Sequence, residues 1–518
     1  MPYTGPTTDG QLTALKYLEY VASEQESALD ADFMARRWLL YVVLALQAAL
    51  SLRLVWANTA FQDEGLYLWA GHLEWGHWLH GTPIPAFAYY FSGAPVLYPP
   101  LGALANHFGG LAGARLLSLG FMLTSTVLLH GTTRRFFDRT AANFAAFLFA
   151  VLGSTEFMGA FATYDAMALM LTAFSAWLVV IAGNRGGLPR TLLLLFAGGV
   201  AALADATKYA AALWTPVLII LAVLVVWRRS GRGAATVAGA AFFIGADLPI
   251  AIGIRLGGHA YWVGITSTTL ARPDGQSSPV SVLYTSLGWI AVVLAMAVMG
   301  VIIVSSRWRS WQEVAIAWLF VCAVLLAPLE QARIGVFTSL FKHVGYGGWF
   351  GCAIAGFALA AFIQSVPQAK MTRAMAASAT IAAIAAVSGA LLAGTHYQGW
   401  PTSTSVVRYL KPIAGNGRIL AEEAPVLEYY LPSVRAAEWN GLNASDLGST
   451  YRVPIADGQY AFIVFVYLET APLDLELRQM IAQSGHYELA RTFAVPDAGA
   501  LGKYTRYEVW RRVPVGPA

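Results

Sequence analysis

Residues 36–69 read RRWLLYVVLALQAALSLRLVWANTAFQDEGLYLW, and this stretch decides how the chain is built. Arg36 and Arg37 precede a run of apolar residues from Trp38 to Ala57. About twenty such residues make a helix long enough to cross the hydrocarbon core of a bilayer. The run is followed by an adjacent acid pair, Asp63 and Glu64, and then by aromatics at Tyr67, Trp69, Trp75 and Trp78. That second pattern predicts an amphipathic helix lying along the membrane surface, where aromatic rings gather.

The same length criterion, carried along the chain, gives about eleven spans. They fall near 38–57, 113–132, 141–153, 163–183, 191–205, 209–227, 234–254, 281–304, 312–328, 345–364 and 374–394. Composition agrees. The 518 residues are 57% hydrophobic and only 12% charged, against about 25% charged in ordinary soluble domains. Mean hydropathy is +0.56. A net charge of +4, dispersed among apolar runs, does not describe a nucleic-acid partner. Cys322 and Cys352 both lie in apolar stretches and imply no disulfide framework. The polar start, MPYTGPTTDG, does not read as a cleavable signal peptide.

Basic residues set the expected orientation. Arg36 and Arg37 come before the first span, and Arg134, Arg135 and Arg139 follow the second. Arg185 and Arg190, then Arg228, Arg229 and Arg232, then Arg307 and Arg309, then Lys370 and Arg373 follow the fourth, sixth, eighth and tenth. Cytoplasmic loops carry such an excess. The expectation is a multi-pass plasma (inner) membrane protein with a cytoplasmic N-terminus and an extracytoplasmic C-terminus. Three segments follow: a cytoplasmic tail over 1–36 with one short helix, a membrane domain over 37–394, and a soluble α/β domain over 395–518. In the last, strand-like and helix-like patterns alternate, as in YAFIVFVYLE and DLELRQMIAQSG. The sequon Asn443-Ala444-Ser445 reads as a chance match. The outward loops 58–112, 255–280 and 329–344 hold most of the polar residues of interest.

Four elements recur in order: Asp63-Glu64 after the first span, the surface helix, Tyr98-Pro99-Pro100-Leu101-Gly102, and Gly113-Ala114-Arg115-Leu116-Leu117. Further on stand Thr163-Tyr164-Asp165, Lys208-Tyr209 and Phe341-Lys342-His343-Val344-Gly345-Tyr346. Over roughly 36–365 this set resembles the membrane glycosyltransferases of the protein O-mannosyltransferase and aminoarabinose lipid A transferase type. Leu97-Tyr98 stands where the aminoarabinose transferases carry a Glu-Lys pair. The resemblance implies an all-α polytopic membrane domain of GT-C type. It also implies an inverting transfer of sugar from a polyprenyl-phosphate donor to a hydroxyl of a cell-envelope glycan, lipid or protein.

That reaction needs a base for the acceptor hydroxyl and fixed cations for the departing phosphate. By resemblance and position Asp63 is the candidate base, Glu64 a support or an acceptor contact, and Asp165 a second acid orienting the acceptor. The candidate phosphate ligands are Lys208, Lys342, His343 and Tyr346, with Arg272, Arg255 and Arg333 weaker. A divalent metal is the cofactor left open, held by Asp63, Glu156 and Asp165 if the fold unites them. For Lys208 the bland reading is a local ion pair with Asp205. For Glu64 it is a helix-capping charge. A secondary transporter or flippase would place charges at mid-membrane and repeat its halves, and neither is visible. A non-catalytic scaffold of a polysaccharide export complex would scatter these charges over the surface.

Overall fold

The computed structural model describes residue 36 and residues 38–307, 310–367, 370–415, 417–442, 448–468, 470–495 and 506–513. Residues 1–35 of the expected N-terminal tail, Arg37, Arg309 and the sequon Asn443-Ala444-Ser445 lie outside the described residues.

The membrane part is helical: α1 (Trp38–Val55), α2 (Gln62–His80), α3 (Tyr98–Phe136), α4 (Arg139–Ala150), α5 (Gly153–Met158), α6 (Tyr164–Ala182), α7 (Gly187–Thr207), α8 (Thr215–Ile265), α9 (Pro279–Arg307), α10 (Trp311–Arg333), α11 (Leu340–Ser365) and α12 (Met371–Gly394). Among the described residues nine helices are long and apolar enough to cross a membrane. The difference from eleven has two causes. In α8 the helix breaks at Gly231, whose φ of 79° suits glycine. A Cβ on Gly239 would lie 2.8 Å from Val223 Cγ2, so the two limbs pack side by side as an antiparallel pair. The runs near 209–227 and 234–254 are these limbs. The run near 141–153 instead forms the 12-residue α4, which at 1.5 Å per residue spans only about 18 Å.

The loop expected over 58–112 is mostly structured. It contains α2 and the first turns of α3, which starts at Tyr98 with Pro99 and Pro100 in its first turn, where their missing N–H groups cost nothing. A break at Gly110 (φ 60°) turns α3 into its second limb. The segment expected to be an outward loop from 255 begins as the end of α8 and continues into a π-helical turn, Thr266–Leu270.

Helix α11 is the axis of the bundle. From Leu340 to Ala361 every residue except Phe341 is buried. Small residues let its neighbours approach closely: a Cβ on Gly356 would sit 2.4 Å from the Ala145 backbone nitrogen, and one on Gly347 2.5 Å from the Ala323 carbonyl oxygen. Arg135, Arg228 and Arg229 gather around one small pocket at the end of the bundle away from Asp63.

Beyond α12 come α13 (Thr404–Leu410), β1 (Arg418–Ala421), α14 (Ala424–Tyr430), β2 (Trp439–Gly441), α15 (Ser449–Ala456), β3 (Tyr460–Phe465), α16 (Ala471–Ser484), β4 (Tyr487–Ala494) and β5 (Arg506–Arg512). They build a mixed sheet of order β2-β1-β3-β5-β4, with β1 parallel to both its neighbours and β5 antiparallel to both of its own. Every residue of the central strand β3, YAFIVF, is buried, as expected of a strand covered on both faces. Phe462 and Val464 pack with Ile419 and Val509 on one face. Ile463 and Phe465 pack with Leu477 and Trp510 on the other.

This α/β unit is bonded to the membrane helices through α14. Asn106 Nδ2 donates to Tyr429 Oη at 2.7 Å, and the Ala60 N–H donates to Tyr430 Oη at 2.8 Å. Trp400 Nε1 donates to the Thr59 carbonyl at 3.0 Å.

Inside the unit, Glu422 accepts backbone N–H bonds from Val466, Tyr467, Leu468 and Thr470. Burial, then the neighbouring Glu422, hold the Asp474 carboxyl above its usual range. The unfolded chain releases this proton near pH 4, and the folded chain releases it only at higher pH. Folding therefore loses stability as pH rises above about 4. Asp474→Asn is expected to raise the melting temperature by a few degrees at pH 8 and to leave it unchanged at pH 4, measured on the purified protein in detergent.

Candidate active site

Loop α1–α2 places Asp63, and one buried arginine places the loop. Arg115, on the second limb of α3, is 1% exposed. Its guanidinium donates to Glu64 Oε1 at 2.8 Å and Oε2 at 2.7 Å, and to the carbonyls of Val55, Asn58 and Thr59. Glu64 Oε1 also accepts from the Ala162 N–H at 2.8 Å, and Oε2 from the Phe61 N–H at 3.3 Å. Each Glu64 oxygen thus holds two donors, and no acceptor position is left for a substrate hydroxyl.

The neighbouring Asp63 faces the other way. Its Oδ2 accepts from Lys342 Nζ at 2.7 Å. Lys342 Nζ also lies 3.5 Å from Asp165 Oδ2, and Lys208 Nζ lies 3.5 Å from Asp165 Oδ1. Two acids and two lysines, from four separate parts of the chain, thus form one connected row. Asp165 is in the first turn of α6, where the helix dipole favours an anion. Lys342 is in the first turn of α11, where the dipole opposes a cation. It is 2% exposed and is held by its two carboxylates.

A cavity of about 730 Å³ opens beside this row. Its walls include Asp63, Tyr67, Tyr164, Lys208, Arg272, Gln331 and His343. Lys208 Nζ also sits 4.6 Å from the centre of the Tyr164 ring. Gln331 Nε2 donates to the Thr338 carbonyl and lies 3.1 Å from His343 Nδ1, which makes Nδ1 the acceptor and leaves the proton on Nε2. That Nε2 is buried with no partner among the described residues. Among the described residues the Arg272 guanidinium makes no hydrogen bond or ion pair, although Glu330 and Arg333 on the same wall pair with each other at 2.7 Å.

Several sequence expectations change here. Lys342 and Asp165 form the layer behind the wall, because each is committed to the other and to a further charge. Tyr346 is not on the wall: its ring stacks on Trp214 and its hydroxyl donates to the Asp165 backbone carbonyl at 3.1 Å. Lys208 does not pair with Asp205, whose Oδ2 accepts from Thr215 Oγ1 instead. Glu156 pairs with Arg53 at 2.8 Å. Among the described residues no three His, Cys, Asp or Glu side chains come together to hold a metal ion. Arg255 is exposed on α8 and does not line the cavity. The sequence reading missed the roles of Arg53 and Arg115. The available signal was an arginine in or beside an apolar span, which is costly unless an acid meets it.

The sequence model of the family described as Dolichyl-phosphate-mannose-protein mannosyltransferase matches residues 103–250. Among curated protein sequences no significant match is found. Among solved structures, ArnT from Cupriavidus metallidurans bound to undecaprenyl phosphate superposes with a TM-score of 0.63 at 12% identity, over 92% of this chain and 99% of that one. The chain has the GT-C fold. The Archaeoglobus fulgidus oligosaccharyltransferase shares that fold with a TM-score of 0.54 at 13% identity, over 90% of this chain and 74% of its own. The arabinofuranosyltransferase AftD from Mycobacteria gives 0.51 at 15%, over 92% of this chain and 40% of its own. Within this GT-C fold the Glu64–Arg115 pair is a buried ion pair, and removing one partner strands the other. Arg115→Met is expected to destabilise the protein by about 3–5 kcal/mol. Arg115→Met combined with Glu64→Leu is expected to recover most of that loss in the same thermal or denaturant melt.

Proposed function

We propose that the protein is an inverting glycosyltransferase, taking a sugar from a polyprenyl-phosphate donor and passing it to an acceptor hydroxyl. One observation carries the reading: Asp63 lines one cavity with two cations, Lys208 and Arg272, and with the neutral His343, beside the row of charges where α6 and α11 begin.

The acceptor hydroxyl attacks the anomeric carbon from the face away from the phosphate, so the configuration inverts. The new glycosidic C–O bond forms as the bond to phosphate breaks. The hydroxyl proton goes to Asp63, and the electron pair of the broken bond leaves on the phosphate. The donor phosphodiester carries one negative charge and the released monoester two. Charge therefore grows at the phosphate as the bond breaks, and cations fixed there stabilise the transition state more than the ground state. Arg272, which has no hydrogen bond or ion pair among the described residues, supplies an uncommitted guanidinium for this. His343 Nε2–H adds a neutral donor. Lys208 reaches the same wall while balancing Asp165. Lys342 acts one step back: it aims the Asp63 carboxylate and keeps Asp165 compensated.

The arginines collected at the far end of the bundle support a cytoplasmic end there and an extracytoplasmic site here. The lipid tail of the donor would lie between spans, and the acceptor would come from the side of the α/β unit.

The test uses purified protein in lipid nanodiscs with a panel of polyprenyl-phosphate sugars, measuring release of polyprenyl phosphate. Asp63→Asn is expected to slow turnover by about a hundredfold or more with donor KM little changed. Arg272→Met is expected to raise donor KM by about tenfold and to lower kcat as well. Lys342→Met should resemble Asp63→Asn in lowering kcat with donor KM little changed. An unaltered rate in Asp63→Asn would remove this carboxylate from proton transfer.

A further inference from the structure

A second cavity, of about 620 Å³, lies on the other side of α2 from the first. Gln62 and Trp69 line it from α2, Glu428 from α14, and Trp439 from the start of β2. Tyr90 lines both cavities, so the two are neighbours across a single helix and one loop. The volume falls within the range of about 300–1,000 Å³ of small-molecule sites.

Two polar groups in this groove lack partners. Glu428 is 7% exposed and, among the described residues, makes no hydrogen bond or ion pair. The Trp439 indole N–H is buried and also unpartnered among the described residues. Buried polar groups are nearly always bonded, so an unpaired carboxyl on the groove, beside a lining tryptophan whose indole N–H is also unpaired, points to a ligand that brings hydrogen-bonding groups. The groove is preformed, because Asn106 and Ala60 hold the two tyrosines that follow Glu428 on α14.

We propose that this groove is a subsite for the acceptor, and that the acceptor is a saccharide chain. The inference rests on the glycosyl-transfer reading above and names its acceptor class. A sugar ring has an apolar C–H face and a rim of hydroxyls. Trp69 and Trp439 offer flat apolar surfaces. Glu428 bonds hydroxyl groups, and the Trp439 indole N–H is a further donor without a partner among the described residues. Burial pushes the Glu428 carboxyl up to about 8, so near neutral pH it keeps its proton and both donates and accepts. That suits a neutral polyol better than a cation. The Glu422 carboxyl oxygens, on the same wall, are taken up by four backbone N–H groups, and Glu423 completes that wall. A chain seated here would cross Tyr90 to bring one terminal hydroxyl to Asp63.

The experiment is saturation-transfer NMR on the full-length protein in nanodiscs, with neutral gluco-, manno-, galacto- and arabino-tetrasaccharides as probes. Wild type and Asp63→Asn are both expected to bind at least one of them. Trp439→Ala should weaken that binding by about tenfold or more. Glu428→Leu, which replaces a buried polar group by an apolar one of similar size and so should fold, is expected to weaken it to a like degree. Binding to none of the four, binding indifferent to both substitutions, or displacement by a trilysine peptide would overturn the proposal. Saccharide binding without any sugar transfer would sink the transferase reading and leave the groove a saccharide site, not an acceptor subsite. Transfer without saccharide binding would sink only the groove.

Discussion

A lysine buried at the amino end of a helix is the constraint on which the rest of the site depends. Lys342 is almost wholly withdrawn from water, and the dipole of α11 works against its charge. An uncompensated ammonium in such a place costs several kcal/mol. The fold meets that cost with two carboxylates that must come from elsewhere, one from the loop after α1 and one from the start of α6. The partner of Asp165 is in turn a lysine from the end of α7. Removing any member leaves a neighbour uncompensated, so the row fixes four distant parts of the chain against one another.

A second buried pair does the same for the loop itself. Arg115 reaches three carbonyls between Val55 and Thr59 while gripping both oxygens of Glu64. The adjacent acids Asp63 and Glu64 therefore divide the work. Glu64 is consumed in holding the backbone, and Asp63 is released toward the cavity. Neither could take the other's place, because successive side chains on a helix point about 100° apart. The α/β unit completes the grip from the other side, through Trp400 on Thr59 and Tyr430 on Ala60.

Much of the architecture was legible in the sequence because bilayer thickness is a ruler. Run length located the helices, and Arg228, Arg229 and Arg232 marked the break between two of them. The ruler fails where protein rather than lipid surrounds a segment: α4 is short and packs on α11, and α2 with the start of α3 fills what reads as a loop. In the site, Asp63, Lys208 and His343 were picked by resemblance and position, with Arg272 a weaker candidate, and all four line one cavity. Partnerships were not legible. Lys208 stands three positions from Asp205, yet its ammonium meets Asp165, because Lys208 itself is in extended backbone beyond the last turn of α7. Tyr346 was expected at the phosphate, but one turn along α11 from Lys342 is already the interior of the bundle. Sequence spacing measures distance along a helix; it does not say how deep the wall of a cavity lies.

This pairing also decides which charge is free to act. Lys342 and Lys208 are matched against Asp63 and Asp165, and Arg333 against Glu330. The matched row is electrically near balance before any ligand arrives, which is what allows it to be buried at all. Arg272 stands outside it, on irregular backbone between the π-helical turn and α9, with the cavity in front of it. An anion entering that cavity would not need to break an existing ion pair to gain a guanidinium partner. On the proposed reading, such a site would attract a phosphate without loosening the row that aims Asp63. Anion binding and proton acceptance can therefore be held by separate groups a short distance apart, which is the separation that a displacement at a carbon between them requires.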